Sequence, residues 1–97
     1  MIRITTDAVL ERNGTGMRFP KEAISLQKAG TRHRKRGKEV TYEADLFDGD
    51  HQLVAVLMAW EYPARVLCEV AMEPAPGWRL VKTPAITIVD EDDDWLR

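Results

Sequence analysis

A catalytic nucleophile needs a nearby group to take its proton, and this chain holds few nucleophiles. Ser25 is the only serine and Cys68 the only cysteine. Ser25 lacks the G-x-S-x-G setting of a nucleophile elbow. Cys68 stands between Val66 and Val70 at an apolar strand position, with no basic neighbour in sequence to activate it. Such a cysteine is ordinarily a small core hydrophobe. His33 lies inside a basic run, and His51 follows the turn Asp48-Gly49-Asp50. A triad built from His51, Cys68 and an aspartate is the weakest of the readings, because no sequence motif supports it. Asp45, Asp48 and Asp50 match the alternate spacing of calcium ligands only in part, and the rest of the twelve-residue ligand pattern is missing. Asp48 and Asp50 are better read as turn formers. Asn13-Gly14-Thr15-Gly16 has no following Lys-Ser pair and is a poor phosphate loop. No paired-cysteine or H-E-x-x-H spacing calls for zinc. The expectation is therefore a chain with no catalytic residue, no metal and no cofactor.

Charge is the more pointed signal. The formal net charge is only −2, yet five of the fourteen Lys and Arg residues fall between Arg32 and Lys38. Five of the sixteen acids fall between Asp90 and Asp94. The basic run Arg32, Arg34, Lys35, Arg36 and Lys38 reads as a flexible loop bracketed by Gly30 and Gly37. Its cations attract acidic protein patches or phosphate backbones. No aromatic residue interrupts the run, so by itself it offers no platform for stacking bases. The acidic run ends on Trp95 and Leu96. An aromatic anchor behind steering acids suits docking onto a partner. The same two residues would equally serve to close the domain's own core. A third reading pairs the acidic tail with the basic run of its own chain or of a neighbouring copy.

The elements that must carry these residues read as strands. Val40, Tyr42, Ala44 and Leu46 alternate with polar residues, the period of a half-buried strand. Asp48-Gly49-Asp50 then marks a hairpin. Gln52–Trp60 is apolar on both faces and predicts a central strand covered on both sides. Pro63 interrupts it. Val66, Cys68, Val70 and Met72 give a third strand, and Pro74-Ala75-Pro76-Gly77 a turn. Trp78–Val89 gives a last strand, broken near Pro84 and placed at an edge. Phe47 points away from Leu46, and with Met58 or Trp60 would form an exposed apolar patch.

Ile2 and Ile4 suggest a short strand, and Val9–Arg12 another. Pro20–Gly30 has proline at a first helical position and glycine at a helix end, which predicts a short helix. The alternation of Ala23, Ser25 and Gln27 with Ile24 and Leu26 suits a strand as well. The expected fold is thus α+β: an antiparallel four-to-five-stranded meander with one short helix over a face. A small all-β barrel or sandwich is the alternative. Residues 1–89 form the expected single domain and 90–97 an acidic tail.

A chain that is 44% hydrophobic and 31% charged falls in the globular class. Its first seven residues have no apolar core of the signal-peptide kind. The longest apolar run, Leu53–Trp60, falls far short of the roughly 20 residues that span a bilayer. One cysteine allows no internal disulfide. The expectation is a cytoplasmic, non-enzymatic binding or inhibitor module whose partner is a protein rather than a membrane. Its contacts are Arg32, Arg34, Lys35, Arg36, Lys38, Trp95 and Leu96. Non-sequence-specific nucleic-acid binding is the alternative, a small enzyme using Cys68 or His51 a remote third, and homo-oligomers are compatible with all.

Overall fold

A computed structural model describes residues 1–63 and 67–89, the side chain of Leu67 excepted. Nine strands occupy most of them: β1 (Ile2–Ile4), β2 (Ala8–Arg12), β3 (Thr15–Phe19), β4 (Gln27–Arg34), β5 (Gly37–Phe47), β6 (Leu53–Tyr62), β7 (Leu67–Pro74), β8 (Arg79–Lys82) and β9 (Ile86–Ile88). They form three antiparallel sheets ordered β4-β5-β6-β7, β3-β2-β8 and β1-β9. No described helix is long and apolar enough to cross a membrane.

The expected helix over 20–30 is not formed, and the all-β alternative is the fold observed. Only Lys21–Ala23 make a single 3-10 turn, in which the Ala23 N–H donates to the Pro20 carbonyl at 2.9 Å. The Lys21 N–H is taken by Asp7 Oδ1 at 2.8 Å, and Ile24 is already extended at φ −96° and ψ 108°. Alternation decides the matter: Ile24 is buried and Leu26 half-buried, while Ser25 and Gln27 face water. A helix would have put Ile24 and Gln27, three apart, on neighbouring positions of one face. The strand period sorts them correctly.

The meander is present but its membership differs from expectation. β5, β6 and β7 are consecutive, as read from the sequence. The fourth strand is β4, and Trp78–Val89 leaves the sheet. Fully buried Pro84 divides that stretch, so that β8 pairs with β2 and β9 with β1. β8 is indeed an edge strand. Asn13 and Gly14, at φ 52° and 80°, make the primed two-residue turn that joins β2 to β3.

The core lies on one face of the large sheet. Ala44 and Leu46 of β5, Ala55, Leu57 and Ala59 of β6, and Met72 of β7 point inward to meet Ile2, Ile4, Ala8, Leu10, Phe19 and Ile24. A bulge helps to close it: Leu46 pairs with Ala55 but Phe47 with Leu53. Val54 between them is fully buried, and its carbonyl accepts the Ala75 N–H at 2.8 Å. β6 was expected to be covered on both faces. Instead Val56, Met58, Trp60 and Tyr62 stand half-buried along its outer face, uncovered by any described element. Phe47 and Leu53 extend that apolar row at one end, 48% and 43% exposed.

Candidate functional site

The basic run lies on the β4–β5 hairpin rather than in a flexible loop. Arg32 and Arg34 belong to β4 and Lys38 to β5, and Lys35-Arg36 form the turn. His33 pairs with Lys38, and Arg34 with Gly37. Two features require glycine at position 37. Its φ is 133°, which side-chain-bearing residues rarely adopt, and a Cβ there would sit 2.9 Å from the Pro63 Cβ. The turn residues Lys35 and Arg36 keep negative φ, so any residue type fits them sterically. Their charge is therefore not a by-product of turn geometry.

Strand pairing sorts these residues between two faces. Gly30 is opposite Thr41, Arg32 opposite Glu39, and Thr41 opposite Trp60. Gly30, Arg32 and Arg34 therefore share the outer face with Glu39, Thr41, Trp60 and Tyr62. Together these residues line a cleft of about 350 Å³. Reading along the sequence missed this combination, because the aromatic residues of β6 are brought beside the arginines only by cross-strand register. The strand alternation held the information; the pairing partner did not show.

Glu39 organises the cleft. It is the buried charged residue among the described ones, 7% exposed. Arg34 Nη2 donates to its Oε1 at 2.9 Å, and Arg32 Nε stands 4.0 Å from Oε2. A carboxylate taken out of water needs such partners. Arg34 and Arg32 remain 48% and 74% exposed at their side chains, so both keep donors directed at solvent. The Tyr62 hydroxyl donates to Glu69 Oε2 at 3.2 Å. Partial burial, followed by the nearby Glu69 carboxylate, holds that hydroxyl above the usual phenol range.

β4 is also an edge. It pairs with β5 on one side only, and all eight of its residues are exposed. Its outer N–H and C=O groups have no other backbone partner among the described residues. Such an edge is a template for a further strand. Arg32 and Arg34 make this edge locally positive, a charge that repels like-charged segments and attracts acidic ones.

The other residues weighed for chemistry are scattered. Cys68 is half-buried on β7 opposite Glu61, near one end of β6, and His51 is exposed in the turn before the other end. Eight residue steps along β6 from Leu53 to Glu61 separate the two by about 26 Å at 3.3 Å per step. Ser25 is exposed, and its hydroxyl accepts from Gln27 Nε2 at 3.1 Å. Asp48 serves its own turn: Oδ1 accepts the N–H of Asp50 at 2.8 Å and of Gln52 at 3.0 Å. The Gln52 N–H is the main reason its carboxyl is held below the ordinary aspartate range, partial desolvation acting against it. Among the described residues no group of three or more His, Cys, Asp and Glu is arranged to hold a metal. Trp95 and Leu96, the remaining expected contacts, lie outside the described residues.

Comparison with protein-family models, with curated proteins and with solved structures finds no match to this chain.

Proposed function

We propose that this chain is a non-enzymatic binding module that accepts an extended, acidic segment of a protein partner along β4. The observation carrying this reading is the coincidence of edge and charge. β4 is one-sided in its pairing, exposed along its whole length, and bears Arg32 and Arg34 on a single face, with Lys35 and Arg36 at its end. Main-chain pairing supplies affinity in this mode, and the side chains beside each added residue supply selectivity. Glu39 holds Arg34 in place before the partner arrives, which lowers the entropy lost on binding.

The reading is tested with a labelled peptide of alternating Glu and Val, titrated by fluorescence anisotropy. Binding is expected, with affinity falling as salt rises. Replacing Arg32 and Arg34 together by alanine should weaken it by roughly 3- to 30-fold, two surface ion pairs at up to about 1 kcal/mol each. Affinity unchanged in that double variant contradicts the proposal.

A second reading, single-stranded nucleic acid, is favoured by one observation. Trp60 and Tyr62 line the same cleft as Arg32 and Arg34, and stacking rings beside cations are what such strands use. Glu43, Asp45, Glu69 and Glu73 are exposed on the same face and weigh against it. A labelled oligothymidine separates the two. Tight binding that is lost in Trp60→Ala, where the Glu-Val peptide does not bind, would favour nucleic acid.

A further inference from the structure

We infer that the strand accepted by β4 is residues 91–95 of a second copy of this chain, running antiparallel to β4. Glu91 then lies beside Arg34, Asp93 beside Arg32 and Trp95 beside Gly30. The inference rests on the reading of β4 as an acceptor edge, and it names the partner.

Register supplies the argument. Residues opposite one another in a sheet point to the same face, and every second residue shares that face. The outer-face positions of β4, taken from its end backwards, are Arg34, Arg32 and Gly30. A matching antiparallel strand must therefore offer an acid, a second acid two residues on, and a third side chain that suits a glycine. A Cβ built on Gly30 would meet nothing within 4 Å. Gly30 thus leaves an open gap at the mouth of the cleft lined by Thr41 and Trp60. A large aromatic laid across a strand glycine covers the exposed backbone and fills such a gap. Glu91, Asp93 and Trp95 supply the three requirements in the required order and spacing. Of the remaining acids, Asp90 falls beside Lys35, Asp92 beside His33, opposite which stands Lys38, and Asp94 beside Thr31.

The same chain's tail does not meet this register. Val89 lines a hollow with Leu26, the residue before β4 begins. The antiparallel register needs Asp90 beside Lys35, nine residues or about 30 Å from Leu26 at 3.3 Å per residue, whereas Asp90 directly follows Val89 in the chain. Starting Asp90 beside Gln27, parallel to β4, would bring the five acids against Gln27–Thr31, where Lys28 is the only cation, and Trp95 against Arg32. The antiparallel approach of another copy satisfies the charges; a parallel approach of its own tail does not.

Sedimentation velocity of the full chain tests this through a charge exchange. The wild-type chain is expected to associate, less so as salt rises. Glu91→Lys with Asp93→Lys should raise the dissociation constant by about tenfold or more, and so should Arg32→Glu with Arg34→Glu. Mixing the two double variants restores association, since each then offers the edge that the other's tail requires. Trp95→Ala changes no charge and none of the described residues; it too should weaken association, and an exchange of Asp94 and Trp95 that turns the indole to the other face should weaken it equally. A wild-type chain that stays monomeric at millimolar concentration overturns the inference, as do mixed variants that fail to associate or a Trp95→Ala chain that associates fully. The acceptor-edge reading is tested separately. If the Glu-Val peptide binds a chain that stays monomeric, only the choice of partner fails; if neither event occurs, both fail.

Discussion

Glu39 places a carboxylate in a nearly closed position on the outer face of the large sheet, and two arginines answer it. Removing either side of this arrangement has unequal consequences. Arg34→Ala leaves the carboxylate without its 2.9 Å partner, a loss of about 1–3 kcal/mol for an unsatisfied buried group. Glu39→Gln removes the buried charge itself and should cost less. Thermal melting should therefore rank Arg34→Ala below Glu39→Gln, while Glu39→Gln binds the Glu-Val peptide more weakly because Arg34 is no longer held in place. The opposite ranking would mean that Glu39 does not organise the cleft. Gly37 is held by conformation and by space. Gly37→Ala meets both φ 133° and the Pro63 contact, so a loss of about 1–3 kcal/mol is expected, read as a melting temperature lower by several degrees. Asp48 supplies a pH test. Its folded carboxyl is held below the ordinary aspartate value of 3.8, so its contribution to stability is complete well above that value. The contribution shrinks as pH falls below 3.8 and is gone once pH passes through the folded value. Asp48→Asn should flatten that part of the stability curve in acid melts and lower stability slightly near neutrality, where the ionised carboxylate contributes in full.

At the scale of elements, legibility followed how local the signal was. Asp48-Gly49-Asp50 and the alternation from Val40 to Leu46 placed β5, the hairpin and β6 correctly, because turn chemistry and period-2 burial act over a few residues. Pro63 and Pro84 marked real breaks. Partners far apart in sequence were not legible. Nothing in Gln27–Arg34 announces that it pairs with β5, and its exposure on both faces removes the apolar alternation by which a strand is recognised. That absence is also why the basic run read as a loop and why 20–30 read as a helix. For the candidate site, the arginines were visible in sequence, whereas Glu39, Trp60 and Tyr62 joined them only through pairing. β6 gives the clearest element-level contrast. Leu57 is fully buried and Met58 half-buried on the opposite face. Leu57→Ala should cost about 2–5 kcal/mol. Met58→Ser, on the uncovered face, should cost far less; denaturant unfolding of the two variants checks which face holds the core.

The whole molecule is a slab, with Cα extents of 44 × 32 × 20 Å. Among the described residues a large sheet is covered on one face by two smaller ones and open on the other, which leaves an edge strand, an apolar row along β6 and a basic hairpin end on one accessible side. Local charge matters more here than the net value of −2. The cations are concentrated at the exposed edge strand β4 and its hairpin turn, and five consecutive acids occupy 90–94. The most direct measurement is residue-resolved amide hydrogen exchange of the chain with and without saturating Glu-Val peptide. Slowed exchange at alternate amides of β4, strongest near Arg32 and Arg34, is the predicted result. Peptide bound with β4 exchange unchanged, or with protection confined to the β6 face, would contradict the account.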